Sequence, residues 1–572
     1  MKLLKPYLAR FKGDVWWAIV SVAVVAFATL WQPRVLQQIM TAIIANDKAT
    51  VFRLGLWLVA LGVIGIVAGV INTVYSARIA LNVATNLRAD VYRHVQTFAY
   101  ADVEQFSPSN LVVRMTNDIN QIQQVLMAVF QQVTRIPLLF FGALVLALVT
   151  IPSLWWIILV MMAAIIGVSW FAFQKMGKLF GRTQKLVERV NTIARENLMG
   201  IRVVKSFVQE DNQIKTFAKA SDAMRDVNTK IGDLFAILMP AFFLACNLAI
   251  GVSVFLIGRN ITAHPTYLAA ISSYTSYLFQ IMFAVINAGF MTTFAARAMI
   301  SIGRLKTVMT HAPSMHFVAG PSQPVGGSIA FDHVSFTYPG DDQPTLRDIS
   351  FTVPAGAQVG IVGATGSGKT TLAQLIPRLF DPDVGTVTLG GVDLRELSQA
   401  TIRDTVSFVL QRSTLFSGTI AANLRQAQPS AALPQMERAA GIAQAAEFIE
   451  RLPERYDAPV EERSANFSGG QKQRLAITRG VIAEPKVLIL DDATSALDAR
   501  SEKLVQQALG KHLAHTTTVI IAEKISSIIH ADEILVLADG RLVGHGTHRE
   551  LVANNPTYQE IYRTQKAKEA AQ

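Results

Sequence analysis

Gly363-Ala364-Thr365-Gly366-Ser367-Gly368-Lys369-Thr370 is the stretch on which the reading of this chain turns. A glycine, four residues, then glycine, lysine and a hydroxyl residue is the pattern of a phosphate-binding loop. Its surroundings fit: residues 358–362 read as a buried strand and residues 371–379 as a helix. Glycines let backbone N–H groups approach a phosphate with no Cβ in the way. A helix N-terminus adds a favourable dipole. Lys369 is then expected at the terminal phosphates and Thr370 on Mg2+. Downstream, Val487-Leu488-Ile489-Leu490 is a second apolar strand running into Asp491 and Asp492. A carboxylate at a strand end beside such a loop is the expected second anchor for Mg2+.

Upstream the composition changes. Ala312, Pro313, Gly320, Pro321, Pro324, Gly326 and Gly327 mark a linker. The chain therefore divides into residues 1–310, a linker over 311–327, and a nucleotide-binding domain over 328–572. The first part is a membrane domain. The whole chain is 51% hydrophobic and only 16% charged, with mean hydropathy +0.34, unlike a soluble protein of 572 residues. Six apolar stretches approach the roughly 20 residues needed to span a bilayer, at 15–36, 54–75, 135–150, 153–173, 233–258 and 267–297. The third is short, so its helix is expected to begin before Arg135. The first is too long for a cleaved signal peptide.

Charge assigns the sides. Residues 1–300 carry a net +13 and the remainder −2. The excess lies in the N-terminal tail (Lys2, Lys5, Arg10, Lys12) and in the long connections between spans. The 174–232 connection alone holds twelve Lys and Arg. By the positive-inside rule, the long loops and both termini are cytoplasmic. That placement also accounts for the basic balance, so nucleic-acid binding is not expected. Residues 182–219 space Leu, Val, Ile and Phe among charges, which predicts amphipathic helices continuing out of the membrane. The connections 151–152 and 259–266 are minimal by contrast. Asn260-Ile261-Thr262 fits a glycosylation sequon and is read as chance. The lone Cys246 lies in an apolar run, where a small buried hydrophobe is expected. Apart from Asp233 at the very start of the fifth, no Asp or Glu lies in the six apolar stretches, which argues against a proton-coupled carrier.

One further segment, Asn466-Phe467-Ser468-Gly469-Gly470-Gln471-Lys472-Gln473-Arg474, resembles the signature motif of ABC proteins. With the phosphate loop and the Asp strand it marks the chain as similar to ABC exporters along essentially its whole length. That resemblance implies a fold: a six-helix exporter-type membrane domain followed by an α/β P-loop ABC nucleotide-binding domain. It also implies a set of ATP-binding residues. Tyr338 would stack on adenine. Gly363, Ala364, Thr365, Gly366, Ser367, Gly368, Lys369, Thr370 and Thr371 would hold the phosphates. Gln411 would join Thr370 and Asp491 on Mg2+. Ser468, Gly469, Gly470 and Gln471 would contact ATP across a dimer. Ser495-Ala496-Leu497-Asp498 matches the D-loop, and Glu462 the acid that meets cytoplasmic loops. Residues 106–118 and 196–217 resemble the two cytoplasmic loops of exporters.

Two positions depart from the family pattern. The catalytic glutamate after the strand-end aspartate is here Asp492, one methylene shorter. The switch histidine is here Glu523, in Ile521-Ala522-Glu523-Lys524. An imidazole can donate a hydrogen bond to a phosphate, whereas an ionised Glu523 only accepts and repels. Together they imply a site that binds ATP and hydrolyses it poorly, beside an intact signature. This resembles the degenerate-site subunit of heterodimeric bacterial multidrug exporters. The expectation is therefore export of hydrophobic compounds across the cell membrane with a second, different half-transporter carrying the catalytic Glu and His. The alternatives are a homodimeric lipid or peptide exporter with slow turnover, or an ATP-gated channel or sensor. Six spans argue against a soluble ATPase of repair or translation, and fusion of both domains argues against an importer.

Overall fold

Residues 3–259 and 267–570 are described by a computed structural model of the chain. The sequon at Asn260–Thr262, most of the 259–266 connection and Lys2 lie outside them. The chain divides into two units. One comprises Met1–Val95 and Ser109–His311, the other Gln96–Pro108 and Ala312–Gln572.

The first unit is helical. Six helices are long and apolar enough to cross a membrane: Lys12–Ile44, Lys48–Val95, Pro108–Thr150, Pro152–Met199, Glu210–Arg259 and Tyr267–Met291, the last continuing to Met309. Each contains one of the six apolar stretches. The third begins 27 residues before Arg135 and contains two π-helical turns, Arg114–Asp118 and Val129–Val133. Several helices run far past their apolar windows. In Lys48–Val95, the buried residues Ile79, Ala80, Val83, Ala84, Leu87 and Val91 form a stripe at helical spacing through a charged stretch. The fourth and fifth helices converge on a short connection holding the helix Ile201–Ser206.

All seven tryptophans of the chain are exposed on this unit, as are many Ile, Leu, Val and Phe side chains. In lipid such a surface is at no disadvantage, because there is no water to exclude. The inner contacts are specific. Tyr274 Oη donates to the Leu154 carbonyl at 3.2 Å, and Tyr277 Oη to the Leu30 carbonyl at 3.1 Å. Asn72 Nδ2 donates to Ala18 O at 2.9 Å. Cys246 is fully buried in the same core.

The second unit is built on a six-stranded sheet. Its order is Arg541–Gly546, Glu533–Ala538, Gln358–Gly363, Thr517–Ile521, Val487–Asp491, Val406–Val409. All pairings are parallel except that between Glu533–Ala538 and Arg541–Gly546. Val487–Asp491 and Thr517–Ile521 are buried along their whole length, as strands covered on both faces must be. Alternation sends Leu488 and Leu490 into one core and Val487 and Ile489 into the other. A four-stranded antiparallel sheet, with Ile329–Phe336 paired to Leu346–Val353 and Val384–Leu389, closes the second core.

The helix after the phosphate loop differs from the expected 371–379. It runs Lys369–Leu375. It starts earlier because Gly368 takes the left-handed conformation, φ +96°, and turns the chain directly into the helix. It ends earlier because Pro377 has no N–H with which to continue the helical ladder.

Candidate functional site

Parallel strands put their C-terminal ends on one edge of a sheet, where open α/β folds bind ligands. Three adjacent strands do so here. Ile521 is in register with both Ile361 and Asp491. Gly363 and the loop beyond it, Asp491–Asp492, and Ala522–Glu523 therefore leave the sheet side by side. The result is one cleft of about 220 Å3 lined by Thr345, Thr365, Gly366, Gly368, Lys369, Thr370, Thr371, Gln411, Asp491, Asp492, Ile521 and Glu523.

Gly366 and Gly368 both have φ in the left-handed region, +85° and +96°. A Cβ on Gly368 would also lie 2.7 Å from Leu346 Cδ2. The helix that starts at Lys369 has no side-chain cap and no acid in its first turn, so its leading N–H groups are open to an anion. Ser367 Oγ is buried without a hydrogen-bond partner, a polar atom that a phosphate oxygen would satisfy. Lys369 Nζ donates to the carbonyls of Gly363 and Ala364, both at 2.9 Å. Burial pushes its ammonium below the usual lysine range, opposed first by the charge of Glu523 and then by those of Asp491 and Asp492. These residues fit a polyphosphate.

They fit a hard cation as well. Thr370 Oγ1 donates to Asp491 Oδ1 at 3.3 Å, which sets two oxygen donors side by side. Asp491 is 3% exposed. Burial raises its carboxyl above the usual range; the Thr370 bond opposes this and the charge of Asp492 adds to it. A divalent cation would relieve that cost directly. Gln411 Nε2 lies 3.4 Å from Asp492 Oδ2 rather than on Asp491. Asp492 itself has φ +47°, and its N–H is held by the Ile521 carbonyl at 2.9 Å.

Tyr338 stands outside the lining. Its hydroxyl is bonded to Thr371 Oγ1 at 3.0 Å and Gln374 Oε1 at 3.1 Å, on the helix that begins at Lys369. Its ring meets Phe336 and Phe380 edge-on. Tyr100, on the helix Tyr100–Phe106, also meets Phe380 edge-on, at 5.5 Å. This part of the first long loop thus belongs to the aromatic cluster around Tyr338.

Ser468, Gly469, Gly470 and Gln471 are not among the cleft's lining residues. They start the helix Gly469–Val481, where Ser468 and Gln471 form a capping box: Ser468 N–H donates to Gln471 Oε1 at 2.8 Å, and Gln471 N–H to Ser468 Oγ at 3.3 Å. Buried Gln473 fixes that helix to the loop after Asp492, donating to Ser495 Oγ at 3.2 Å and accepting from Ala496 N–H at 2.9 Å. Glu462 is exposed. Sequence reading passed over Thr345 in the lining and Glu502 and Gln565 around it, and gave Gln473 no role of its own within the signature segment. Thr345, Glu502 and Gln565 sit in no local motif whose chemistry announces a role.

Known proteins match both parts of the chain. A profile described as the ABC transporter transmembrane region matches residues 15–285, and one described as ABC transporter matches residues 346–495. The ABC transporter ATP-binding protein YfiB of Bacillus subtilis (strain 168) is 33% identical over 573 residues, covering 100% of this chain and 99% of its own. An ATP-dependent lipid A-core flippase of Chromohalobacter salexigens is 31% identical, with 99% and 97% covered. The structure of a bacterial Atm1-family ABC exporter with ATP bound superposes with a TM-score of 0.80 at 25% identity, covering 97% of this chain and 99% of that one.

Proposed function

This chain belongs to the ABC transporter family, with an exporter's transmembrane region and ATP-binding cassette in one polypeptide, and from that premise we propose that it is the degenerate-site half of a heterodimeric pump. ABC exporters work as ATP-driven dimers of such halves. The partner in this reading is a different half-transporter that carries the missing glutamate and histidine. The cargo is hydrophobic small molecules, taken from the membrane and exported across the cell membrane. The positively charged loops support cytoplasmic termini and a cytoplasmic cassette.

One observation carries the proposal: Asp492 and Glu523 stand in the same cleft as Lys369, Thr370 and Asp491. Lys369, the open helix N-terminus and the left-handed glycines hold the phosphates of ATP, and Thr370 and Asp491 hold Mg2+, with Gln411 nearby. Hydrolysis further requires a carboxylate that polarises the attacking water and a donor on the oxygen that gathers charge. Asp492 is one methylene too short for the first task, and Glu523 carries the wrong charge for the second. ATP is therefore retained here, while Ser468–Gln471, intact and fixed by Gln473, serves the partner's ATP. The second loop tip supports docking on such a partner: Met199 is 82% exposed, and Leu198, Val203, Phe207 and Val208 are exposed beside it.

The likeness to a lipid A-core flippase along nearly the whole chain favours a second reading, in which the cargo is an amphipathic lipid. Inverted membrane vesicles bearing this chain with its partner test both. ATP-dependent accumulation of a fluorescent hydrophobic compound, lost in Lys369→Ala, supports drug export. ATP-dependent movement of a labelled lipid alone supports the second reading. Loss of neither activity in Lys369→Ala refutes both.

A further inference from the structure

The side chain of Glu523 faces the cleft from a loop that two other elements grip. On one side, Gln565 of the C-terminal helix Pro556–Ala570 uses both ends of its carboxamide. Its Nε2 donates to the Glu523 carbonyl at 2.7 Å, and its Oε1 accepts from Ile525 N–H at 2.8 Å. A carboxamide that pairs this way with both a carbonyl and an N–H of one short loop fixes position and orientation together. On the other side, Glu502 of the helix Ala499–His512 accepts from Ser527 Oγ at 2.6 Å and from Thr494 Oγ1 at 3.0 Å. Gln506 Nε2 donates to the Ser527 carbonyl at 3.3 Å. Glu502 thereby ties the loop after Asp492 to the loop after Glu523. The Gln565 pair spans 42 and 40 residues of sequence. It is a contact by which the helix Pro556–Ala570 reaches the loop of Glu523.

We propose that Gln565 is a positioning residue that holds Glu523 toward the phosphate end of the ATP cleft, making the C-terminal helix a control on which nucleotide this site retains. The chemistry follows from charge. Glu523 and the last phosphate of ATP are both negative, and each lies near Lys369, whose ammonium feels Glu523 more strongly than Asp491 or Asp492. Held in place, Glu523 penalises ATP more than ADP, because ATP brings the additional charged phosphate. Released from Gln565, the loop relaxes and the carboxylate turns toward solvent, where repulsion is screened. A movement or modification of the C-terminal helix that broke the pair would shift the site toward ATP.

The inference rests on reading this cleft as an ATP site, and its test separates the two. Equilibrium binding of ATP and of ADP, both with Mg2+, is measured on the full-length chain in lipid for the wild type, Gln565→Ala and Gln565→Met. Each variant is compared with and without Glu523→Gln. The expected result is a rise of about three- to tenfold in the preference for ATP over ADP in Gln565→Ala and Gln565→Met, which disappears when Glu523→Gln is already present. Two variants of different bulk guard against a packing artefact, and a preference ratio is insensitive to a uniform loss of folded protein. An unchanged ratio in both single variants overturns the proposal, as does an equal rise in the Glu523→Gln background, which assigns Gln565 a merely structural role. Failure of the wild type to bind ATP, with Lys369→Ala no worse, would instead refute the reading of the cleft.

Discussion

Restoring Asp492→Glu together with Glu523→His should convert the holding site into a turning-over one. The first change lengthens the side chain by one carbon–carbon bond, about 1.5 Å. A reacting group misplaced by about 1 Å loses roughly 10²-fold in rate, so this substitution alone should recover about that factor. Gln411, 3.4 Å from the Asp492 carboxylate, is placed to orient the longer side chain as well. The second change replaces an acceptor with a donor. A hydrogen bond to a charged group contributes about 1.5–3 kcal/mol, which is roughly 10- to 10²-fold at about 1.4 kcal/mol per decade. Glu523 is exposed, so removing its repulsion adds less than gaining the donor. The pair together should raise turnover at this site by roughly 10³-fold, with each single change giving a partial gain. The assay is phosphate release by the assembled pump with the partner's catalytic glutamate replaced by glutamine, so that only this site is counted. Turnover unchanged by the double substitution, with ATP still bound, would refute the assignment of the defect to these two residues.

Four other substitutions have definite outcomes. Gly368→Ala forces a left-handed residue to carry a Cβ close to Leu346; that conformation alone costs about 1–2 kcal/mol. Melting of the cassette should fall, and ATP affinity should drop tenfold or more, while Gly510→Ala, with open space around it, should stabilise by about 0.5–1 kcal/mol. Gln473→Ala removes the bond to the Ala496 N–H, which water can then reach, and should cost about 0.5–1.5 kcal/mol in unfolding measurements, leaving ATP binding to Lys369 intact. Asp491→Asn tests the buried charge. The folded carboxyl is raised, so the stability it contributes is complete below the ordinary carboxylate range and is lost as pH rises through its folded value. Without nucleotide, the variant should melt above the wild type at neutral pH, a gap that closes on acidification toward the ordinary carboxylate range. It should also lose the stabilisation conferred by ATP with Mg2+.

How much of this was legible in the sequence varied with the range of the interaction. Two of the strands at the cleft, at 358–362 and 487–490, read correctly because each is a short apolar run ending in glycine or aspartate, and full burial leaves no alternation to misread. The spans were legible as apolar runs, but their helices were not legible in length. Lys48–Val95 extends twenty residues past its apolar stretch because Ile79, Val83, Leu87 and Val91 bury a narrow stripe among charges. The end of the Lys369–Leu375 helix was legible in principle, from Pro377. The grouping of Gln96–Pro108 with the cassette was not, since it depends on Tyr100 finding Phe380, 280 residues away. Nor was the clamp of Gln565 on Glu523, which no periodicity encodes. Thr345 apart, the identity of the cleft residues followed from motif and resemblance; the hydrogen bonds that position those residues did not.

The measurement that bears most directly on the central claim is ATP hydrolysis by this chain purified alone in lipid, compared with its Lys369→Ala variant under the same conditions. We expect ATP to bind to the wild type and hydrolysis to be no faster than in the variant, because Asp492 and Glu523 leave the site without a base and a donor in reach. Robust turnover that depends on Lys369 would contradict this, and would make the chain a homodimeric pump competent on its own.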